Sequence, residues 1–208
     1  MDGAWALFEG WLRCMLGDID VALVIGSGKS SPGRPRETFA LQTVYDRELR
    51  NLQRSYNNLD LEALEVTARH LAQARRVLLF GRRFSYPLAL HMSLVLRTMR
   101  EAVDCAPSPG GMSVDQIFDL TPDDFVLVVS MRRHSAEVQR VLSHLAQAGV
   151  PTAVLTDASR GKDVPPGASM LRAHAGSPGV LDSYTALVSV SHALLNLVAG
   201  LLPNAKKR

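Results

Sequence analysis

Short apolar runs alternate with longer segments of mixed polarity along the second half of the chain. The apolar runs predict strands, and the segments between them, where apolar residues recur every three or four positions, predict helices. The predicted strands are 77–80, about 102–105, 125–129, 152–156 and 169–173, and the predicted helices are 85–100, 113–119, 135–148 and 180–202. Strands that are apolar throughout and separated by helices are typical of a parallel sheet covered on both faces. The pattern therefore predicts a doubly wound α/β domain.

Two further helices are predicted before the first strand. Apolar side chains recur at helical spacing from Phe39 to Tyr56, and Asp60 is a suitable N-cap for a second helix that carries Leu64. Residues 1–37 differ from the rest, because a short aromatic segment is followed by a stretch rich in Gly, Ser, Pro and Arg. We therefore predict four segments: an N-terminal arm at 1–37, linker helices at 38–76, the α/β domain at 77–202 and a basic tail at 203–208.

The composition is that of an ordinary globular protein. The chain has 208 residues, of which 47% are hydrophobic, enough for a substantial core in one domain. Its formal charge of +3 permits contact with DNA without arguing for it, because Lys and Arg are spread along the chain. Cys14 and Cys105 are not spaced as metal ligands or as a redox pair, so both are expected to be buried in a protein of the reducing cytoplasm.

One apolar stretch, from Tyr184 to Leu202, approaches the length of a membrane span. Ser189, His192 and Asn196 interrupt it at helical spacing, which favours a helix that is buried or faces a dimer partner. The first residues also do not have the pattern of a secretion signal. We therefore expect no contact with a membrane.

Two strand-to-helix loops carry the residues with the clearest chemical potential. The first is Gly81-Arg82-Arg83-Phe84-Ser85, and the second runs from Ser130 to Ser135 through Met131-Arg132-Arg133-His134. Each places a hydroxyl where a helix begins, and there the free N–H groups and the helix dipole favour an anion such as phosphate. Because ligands of doubly wound sheets bind at the carboxyl ends of strands, we predict one phosphorylated ligand between the two loops.

The first loop, taken alone, also fits a purely structural role. Ser85 can serve only as a helix cap while Arg82 and Arg83 point to solvent. The second loop favours an anion site, because its hydroxyls and arginines are crowded into six positions at the end of a strand.

Neither of the common nucleotide-binding motifs is complete in the sequence. Gly81 has no further glycines of a GxGxxG fingerprint, so a dinucleotide is not indicated. Ile25-Gly26-Ser27-Gly28-Lys29-Ser30 lacks the leading glycine of a P-loop, and the prolines that follow it cannot continue as the required helix.

The series of strands and loops resembles the sugar isomerase (SIS) domain, and more closely that of the MurR/RpiR family of bacterial transcriptional regulators. The resemblance rests on Val77 to Ser85, Phe125 to Glu137 and Gly149 to Asp157, while Leu49-Arg50-Asn51-Leu52 and Leu71 to Val77 resemble that family's linker helices. It implies a flavodoxin-like αβα sandwich with a five-stranded parallel sheet, a homodimer or dimer of dimers, and a phosphorylated sugar or amino-sugar ligand. No metal, nucleotide or redox cofactor is implied.

Position by position, the resemblance implies a ligand site made by both loops. Ser85 corresponds to the hydroxyl of the first loop, Ser130 and Ser135 to those of the second, and Glu137 to the acidic residue that follows it. The expected ligand-binding residues are Gly81, Arg83, Ser85, Ser130, Arg133, Ser135 and Glu137. Ser183, near the start of the last helix, is either an ordinary N-cap or a residue that approaches the ligand of a dimer partner.

Departures from the family pattern occur at three places. Arg82-Arg83-Phe84 stands where catalytic members have a Gly-richer first loop, and Arg132-Arg133-His134 occupies the second loop, which usually reads Ser-x-x-Gly-x-Thr/Ser. Residues 1–37 are too short and differently patterned for the family's N-terminal helix-turn-helix domain. DNA binding is therefore expected only through a domain not recognisable in this chain, which is either a truncated or mis-started regulator or a free-standing sensor.

The preferred interpretation is a sensor that binds a sugar phosphate without turnover and controls transcription. The alternative, an aldose–ketose isomerase, needs a base beside a carbonyl and a group that opens the sugar ring. Glu137, His91, His134 and His192 are the candidates for these roles. Each of them also fits a structural role, and no pair among them has a spacing that demands catalysis, so no catalytic residue is assigned.

Overall fold

A computed structural model describes residues 41–108, 116–131, 135–157, 164–177 and 182–202. Its elements in chain order are α1 (Leu41–Asn57), α2 (Leu61–Gln73), β1 (Val77–Gly81), a 3₁₀ turn (Arg83–Ser85), α3 (Tyr86–Arg97), β2 (Val103–Ala106), β3 (Phe125–Ser130), α4 (Ala136–Gln147), β4 (Thr152–Asp157), β5 (Ser169–Ala173) and α5 (Thr185–Leu201). The predicted arm at 1–37 and tail at 203–208 lie outside the described residues, so the segment boundaries stay predictions.

The five strands form one parallel sheet in the order β2-β1-β3-β4-β5. The three inner strands β1, β3 and β4 are buried along their whole length, as expected where helices cover both faces. Each of them extends one residue beyond its predicted end, to Gly81, Ser130 and Asp157. The predicted parallel sheet of five strands is confirmed, and its order is that of flavodoxin-like folds.

Alternate side chains of each strand enter two separate apolar layers. On one face, Leu79, Leu127 and Leu155 pack in a cluster with residues of α2, α3 and α5. On the other face, Leu78 and Val126 pack with residues of α4. This double coverage explains why the strands read as continuous apolar runs, and the predicted αβα sandwich is confirmed.

α3 is shorter than the sequence pattern predicts, because it ends at Arg97 rather than at residue 100. Arg100 instead turns toward α2, where its guanidinium donates hydrogen bonds to the carbonyls of Leu71 at 2.6 Å and Ala74 at 2.5 Å. A tertiary contact with the last turn of α2 thus replaces a further helical turn, and it satisfies carbonyls that the end of α2 leaves open.

The predicted helix at 180–202 begins later than expected, at Thr185, because residues 182–184 are not helical. The backbone N–H of Ser183 donates to the carbonyl of Ala175 at 3.0 Å, which holds this segment beside the extension of β5. The N-cap of α5 is Tyr184, so the first interpretation of Ser183, an ordinary N-cap, is wrong by one residue, whereas the second, an approach to a partner's ligand, stays a prediction. Of the predicted helix 113–119, residues 116–117 are helical, and its first three residues lie outside the described chain.

α1 is bound to the body of the domain by buried polar contacts. The side-chain amide of Asn51 donates to the carbonyl of Gly176 at 2.6 Å. The hydroxyl of Ser55 accepts a hydrogen bond from the backbone N–H of His174 at 2.7 Å. Because Asn51 and Ser55 are both buried, the first predicted linker helix is packed on the α/β domain at this point.

The last helix and the cysteine of β2 are both part of the core. α5 has 17 residues and buries one side, including Leu187, Val190 and Leu194, which agrees with the prediction of a buried helix. Within the described ranges, no helix is long and apolar enough to cross a membrane. Cys105 is buried as predicted, whereas Cys14 lies outside the described residues.

Candidate functional site

The two predicted loops meet at the carboxyl ends of β1 and β3, which are neighbours in the sheet. From β1 the chain passes to β2 on one side, and from β2 it crosses to β3 on the other side. The strand order reverses at this point, and ligands of open parallel sheets bind in the crevice formed there. The fold thus brings together two loops that are separated by about 45 residues in the sequence.

The first loop turns tightly because Gly81 has no side chain. A Cβ atom at position 81 would lie 2.8 Å from the carbonyl oxygen of Ser85 and 3.0 Å from the Cβ of Ala89. Glycine therefore permits the backbone of the loop to approach the end of β1 closely. Two residues later, Arg83 has a φ of 51°, in the left-handed region that favours glycine. The loop keeps a glycine-like conformation at a position where an arginine stands.

Ser85 connects the two loops instead of capping its own helix. Its side chain makes no capping hydrogen bond to α3 in the described part of the chain. Its Oγ accepts a hydrogen bond from the backbone N–H of Met131 at 3.1 Å, directly after β3. A hydroxyl that accepts in this way still has a proton to donate. The buried Ser85 hydroxyl can therefore serve a ligand oxygen while it holds the second loop.

The second loop supplies one buried and one exposed hydroxyl. Ser130 ends β3, is buried, and lies in register with Thr156 of β4. Ser135 is the N-cap of α4, where its Oγ accepts from the backbone N–H of Val138 at 3.3 Å. Like Ser85, Ser135 retains its own O–H proton for another acceptor. The positive end of the α4 dipole lies beside these groups, so an anion is favoured here.

A salt bridge connects the first loop to α4. The Nε of Arg82 lies 2.8 Å from Oε2 of Glu137, which is in the first turn of α4. The side chain of Arg82 is 39% exposed and that of Glu137 is 33% exposed, so both groups remain in contact with water. The bridge holds the first loop to the helix that follows the second loop, at exposed positions, whereas the Ser85–Met131 hydrogen bond joins the two loops directly.

Ser183 lies in a third segment, between the first loop and α1. Its hydroxyl donates a hydrogen bond to Oε2 of Glu48 at 2.6 Å and accepts one from the backbone N–H of Thr185. The neighbouring phenol of Tyr184 donates to the carbonyl of Phe84 in the first loop. Burial, together with the charge of Asp182, raises the pKa of Tyr184, so this phenol keeps its proton for the hydrogen bond.

The structure thus brings together most of the predicted site residues. We call the group formed by both loops the switch-point site; its described members are Gly81, Arg82, Ser85, Ser130, Ser135 and Glu137. Arg133, a predicted member, lies outside the described residues. Arg83 is exposed and follows Arg82, which is the arginine that pairs with Glu137. Arg82 was not among the site residues expected from the sequence, although its position directly after the last residue of β1 indicates a place at the carboxyl end of the strand.

A second polar residue that sequence reasoning did not select is Thr156. It is fully buried at the carboxyl end of β4, and its Oγ1 makes no hydrogen bond to any described residue. Since buried hydroxyls are nearly always satisfied, this oxygen is available to a group outside the described residues. Its register with Ser130 places it at the same edge of the sheet.

Two of the histidines considered for catalysis, His91 and His192, lie in helices outside the two loops. His91 of α3 and His192 of α5 face each other, with their Nε2 atoms 3.4 Å apart. His134 lies outside the described residues. Among the residues that the structure describes, no group of three or more His, Cys, Asp or Glu side chains is arranged to hold a metal ion.

A surface depression elsewhere in the domain is a poorer candidate for an anion. It lies at the amino end of β4 and is lined by residues such as Gly149, Pro151, Thr152 and Pro166. Its described lining contains no charged side chain and mostly apolar groups. The charged and hydroxyl groups that phosphate requires are concentrated at the opposite ends of the strands.

An open parallel sheet with polar loops at its switch point places the chain in the doubly wound α/β class, in which ligands bind at that position. The family model of the SIS domain matches residues 70–197, more than half of the chain, so the chain belongs to the SIS domain family. The resemblance predicted from the two loops and the strand at 152–156 is therefore confirmed. None of the curated protein sequences matches the chain.

Solved structures of both regulators and isomerases share the fold. The sugar isomerase domain of an RpiR transcription factor from Sphaerobacter thermophilus is 25% identical, with a TM-score of 0.71 over 78% of this chain and 90% of that chain. NanR of Vibrio vulnificus, in complex with ManNAc-6P, is 16% identical, with a TM-score of 0.70 over 82% of this chain and 66% of that chain.

An enzyme with the same fold is a phosphoheptose isomerase from Francisella tularensis. It is 14% identical, with a TM-score of 0.60 over 76% of this chain and 95% of that chain. At such low identity, the likeness to this isomerase and to NanR shows the fold alone. The SIS fold by itself therefore does not separate a sensor from an enzyme.

Proposed function

We propose that this chain is the phosphosugar-sensing domain of a MurR/RpiR-like regulator of carbohydrate metabolism in the cytoplasm. It binds a sugar phosphate or a phosphorylated amino sugar without turnover. The observation that carries the proposal is the joining of two hydroxyl-bearing loops at the switch point through the Ser85–Met131 hydrogen bond. The likeness to the RpiR sugar isomerase domain supports the regulatory assignment.

The phosphate group is placed against the N-terminus of α4. Ser135 caps this helix, and its O–H proton is available to a phosphate oxygen. Ser130 and Ser85 lie deeper and are nearly inaccessible, at 4% and 5% exposure, so they contact the ligand over a small area. Gly81 leaves room for this approach. Arg83 and Arg133, which are predicted from the sequence, would add positive charge around the phosphate group.

The hydrogen bonds around Ser183 offer a physical route from the ligand to α1. The first loop is bound to Tyr184 through the carbonyl of Phe84, and the adjacent Ser183 is bound to Glu48 of α1. A ligand that reorders the first loop therefore acts on a segment that holds α1. Coupling of this kind requires that the ligand bind two arrangements with different affinity.

Oligomerisation and DNA binding belong to the same proposal. Exposed apolar side chains follow one side of α1, namely Leu41 at 85%, Tyr45 at 59% and Leu49 at 40% exposure. Large apolar groups exposed side by side are characteristic of association surfaces, which supports the proposed homodimer or dimer of dimers. DNA would be bound only through a helix-turn-helix domain associated with this one.

The alternative function, sugar-phosphate isomerisation, has a specific candidate base in Glu137. This carboxylate lies at the switch-point site but is paired with Arg82 at 2.8 Å. An isomerase would convert an aldose phosphate to a ketose phosphate and lose that activity in Glu137→Gln. A sensor would bind the same compound and leave it unchanged.

The experiment that tests the proposal is thermal unfolding in the presence of a panel of sugar phosphates and the matching unphosphorylated sugars. The panel includes ManNAc-6P, the compound bound in the NanR structure. Binding to the native state raises the melting temperature by mass action. The shift is measured for the wild type and for Ser130→Ala/Ser135→Ala, and the ligand is recovered to check for turnover.

A matched control separates loss of the site from loss of a helix cap. Asp60 caps α2 through the backbone N–H of Ala63 at 2.9 Å, at a position outside the two loops. Asp60→Ala should lower the melting temperature by removing a cap but keep the ligand-induced shift. A shift confined to one phosphorylated sugar and lost only in the double serine variant supports the proposal, whereas no shift with any compound rejects it.

A further inference from the structure

Arg82 is the only cationic side chain among the described members of the switch-point site. It forms a salt bridge with Glu137. Arg82 directly follows Gly81 at the end of β1, and Glu137 belongs to the first turn of α4. The guanidinium therefore lies beside the helix terminus at which the phosphate group is proposed to bind. Its present partner is a carboxylate from the protein itself.

The exposure of this bridge favours the exchange of Glu137 for another anion. Both side chains are about one-third exposed, and ion pairs in contact with water add little stability because the solvent screens them. A phosphate carries more negative charge than a carboxylate and offers three oxygens, and it fits the forked guanidinium well. The Ser85–Met131 hydrogen bond is a separate link between the loops, so opening of the bridge would leave them joined.

We propose that Arg82 is the residue that recognises the anionic group of the ligand and that Glu137 competes with the ligand for it. This inference rests on the proposed sugar-phosphate site and names the basis of its selectivity. An unphosphorylated sugar cannot displace the carboxylate from Arg82, whereas a phosphorylated one exchanges with it. Glu137 therefore weakens the binding of every anion to Arg82, so that only a strongly charged ligand displaces it.

The test uses the whole chain and inorganic phosphate as the probe, with binding measured by isothermal titration calorimetry. Glu137→Gln removes the competing charge and should tighten phosphate binding about fivefold. Arg82→Gln removes the recognising group and should weaken it about tenfold. Circular dichroism checks that each variant is folded, and the melting temperature shows how much stability the bridge itself provides.

A second salt bridge provides a control with the same change in net charge. Arg69 and Glu65 lie 3.7 Å apart on α2, with side chains 50% and 63% exposed. Glu65→Gln and Arg69→Gln should leave phosphate binding within about twofold of the wild type, because they act only through the general field of the protein.

The possible results separate this inference from the proposed function. Phosphate binding that responds to Glu137→Gln and Arg82→Gln but not to the Glu65 and Arg69 variants supports it. Equal effects of both pairs, or no phosphate binding in any variant, overturns it. If a sugar phosphate stabilises the wild type through Ser130 and Ser135 but is insensitive to Arg82, the proposed function stands and this inference alone fails.

Discussion

The hydroxyl of Ser183 donates a 2.6 Å hydrogen bond to the carboxylate of Glu48, which lies 135 residues earlier in the chain. Ser183 is buried and Glu48 is half-buried, so the bond is partly shielded from water. It joins α1 to the segment that precedes α5 and that also contacts the first loop through Tyr184. A ligand-dependent change in the loop would have to act on α1 through contacts of this kind.

The strength of this contact can be measured with a double-mutant cycle. Ser183→Ala and Glu48→Ala should each lower the free energy of unfolding, with a coupling energy of about 1–2 kcal/mol because the acceptor is charged. Chemical denaturation of the two single variants and the double variant gives this value. As a control, Gln42→Ala, at an exposed position on the same helix, should show no coupling to Ser183→Ala.

The close approach of the first loop to β1 predicts a cost for a side chain at position 81. In Gly81→Ala the new Cβ would lie 2.8 Å from the carbonyl oxygen of Ser85, so the loop must shift. We expect a loss of about 1–3 kcal/mol in the free energy of unfolding and weaker phosphate binding. Gly200→Ala is the matched control, since among the described residues the new Cβ would have no atom within 4 Å apart from its chain neighbours and the backbone of its own helix. This α5 variant should be as stable as the wild type or slightly more stable; an equal loss in both variants would contradict the steric explanation.

Asp124, just before β3, predicts a dependence of stability on pH. Its buried carboxylate loses hydration, which opposes ionisation, but hydrogen bonds from Arg75 and Thr121 outweigh this and lower its pKa below the ordinary value. A lowered pKa in the folded state means that the stabilisation is complete above the unfolded pKa, near 3.9, and is lost as the pH falls through the folded value.

Asp124→Asn should therefore lower the free energy of unfolding by about 1–3 kcal/mol at pH 7, because buried hydrogen bonds lose their charged acceptor. The difference between variant and wild type should shrink as the pH falls below about 4. Melting curves of the variant and the wild type, recorded from about pH 3 to about pH 7, test this change in the stability difference. A constant difference over the whole range would show that ionisation of Asp124 contributes nothing.

The thiol of Cys105 should be unreactive in the folded protein. Burial raises its pKa to about 11, despite the opposing effects of Ser93 and Arg97. At pH 8 only about 0.1% of the thiol would then be thiolate, the reactive form. In a Cys14→Ser variant, labelling with a disulfide reagent should be slow in native buffer and rapid in denaturant. Fast labelling of the native variant would mean that the thiol is exposed.

The sequence pattern predicted the strands better than the ends of the helices. Strands such as Phe125–Ser130 are bounded by polar residues that end the apolar run, so their position follows from local composition. The helix ends at Arg97 and Thr185 were predicted less well. Arg100 and Ser183, close to these ends, make hydrogen bonds to tertiary partners instead of continuing the helix. Such partners are distant in sequence and leave no periodic signal near the boundary.

In the candidate site, too, the sequence alone did not determine which partner each side chain binds. Ser85 and Ser135 both precede helices, and the sequence offers the same capping role for each. Only Ser135 caps its helix, while Ser85 bonds to Met131 of the neighbouring strand end. In the same way, the turn at Arg83 leaves Arg82, not Arg83, paired with Glu137.

The amino-acid sequence by itself determined that this protein is a parallel α/β domain with hydroxyl and arginine residues at two strand ends. It could do so because continuous apolar strands and the residues that end them are local features, set by the need to bury both faces of a sheet. The tertiary structure decided that β1 and β3 are neighbours and that Arg82, Ser85 and Ser183 bind Glu137, Met131 and Glu48. These choices depend on how strands and helices pack over long sequence separations, and local composition carries no record of such packing.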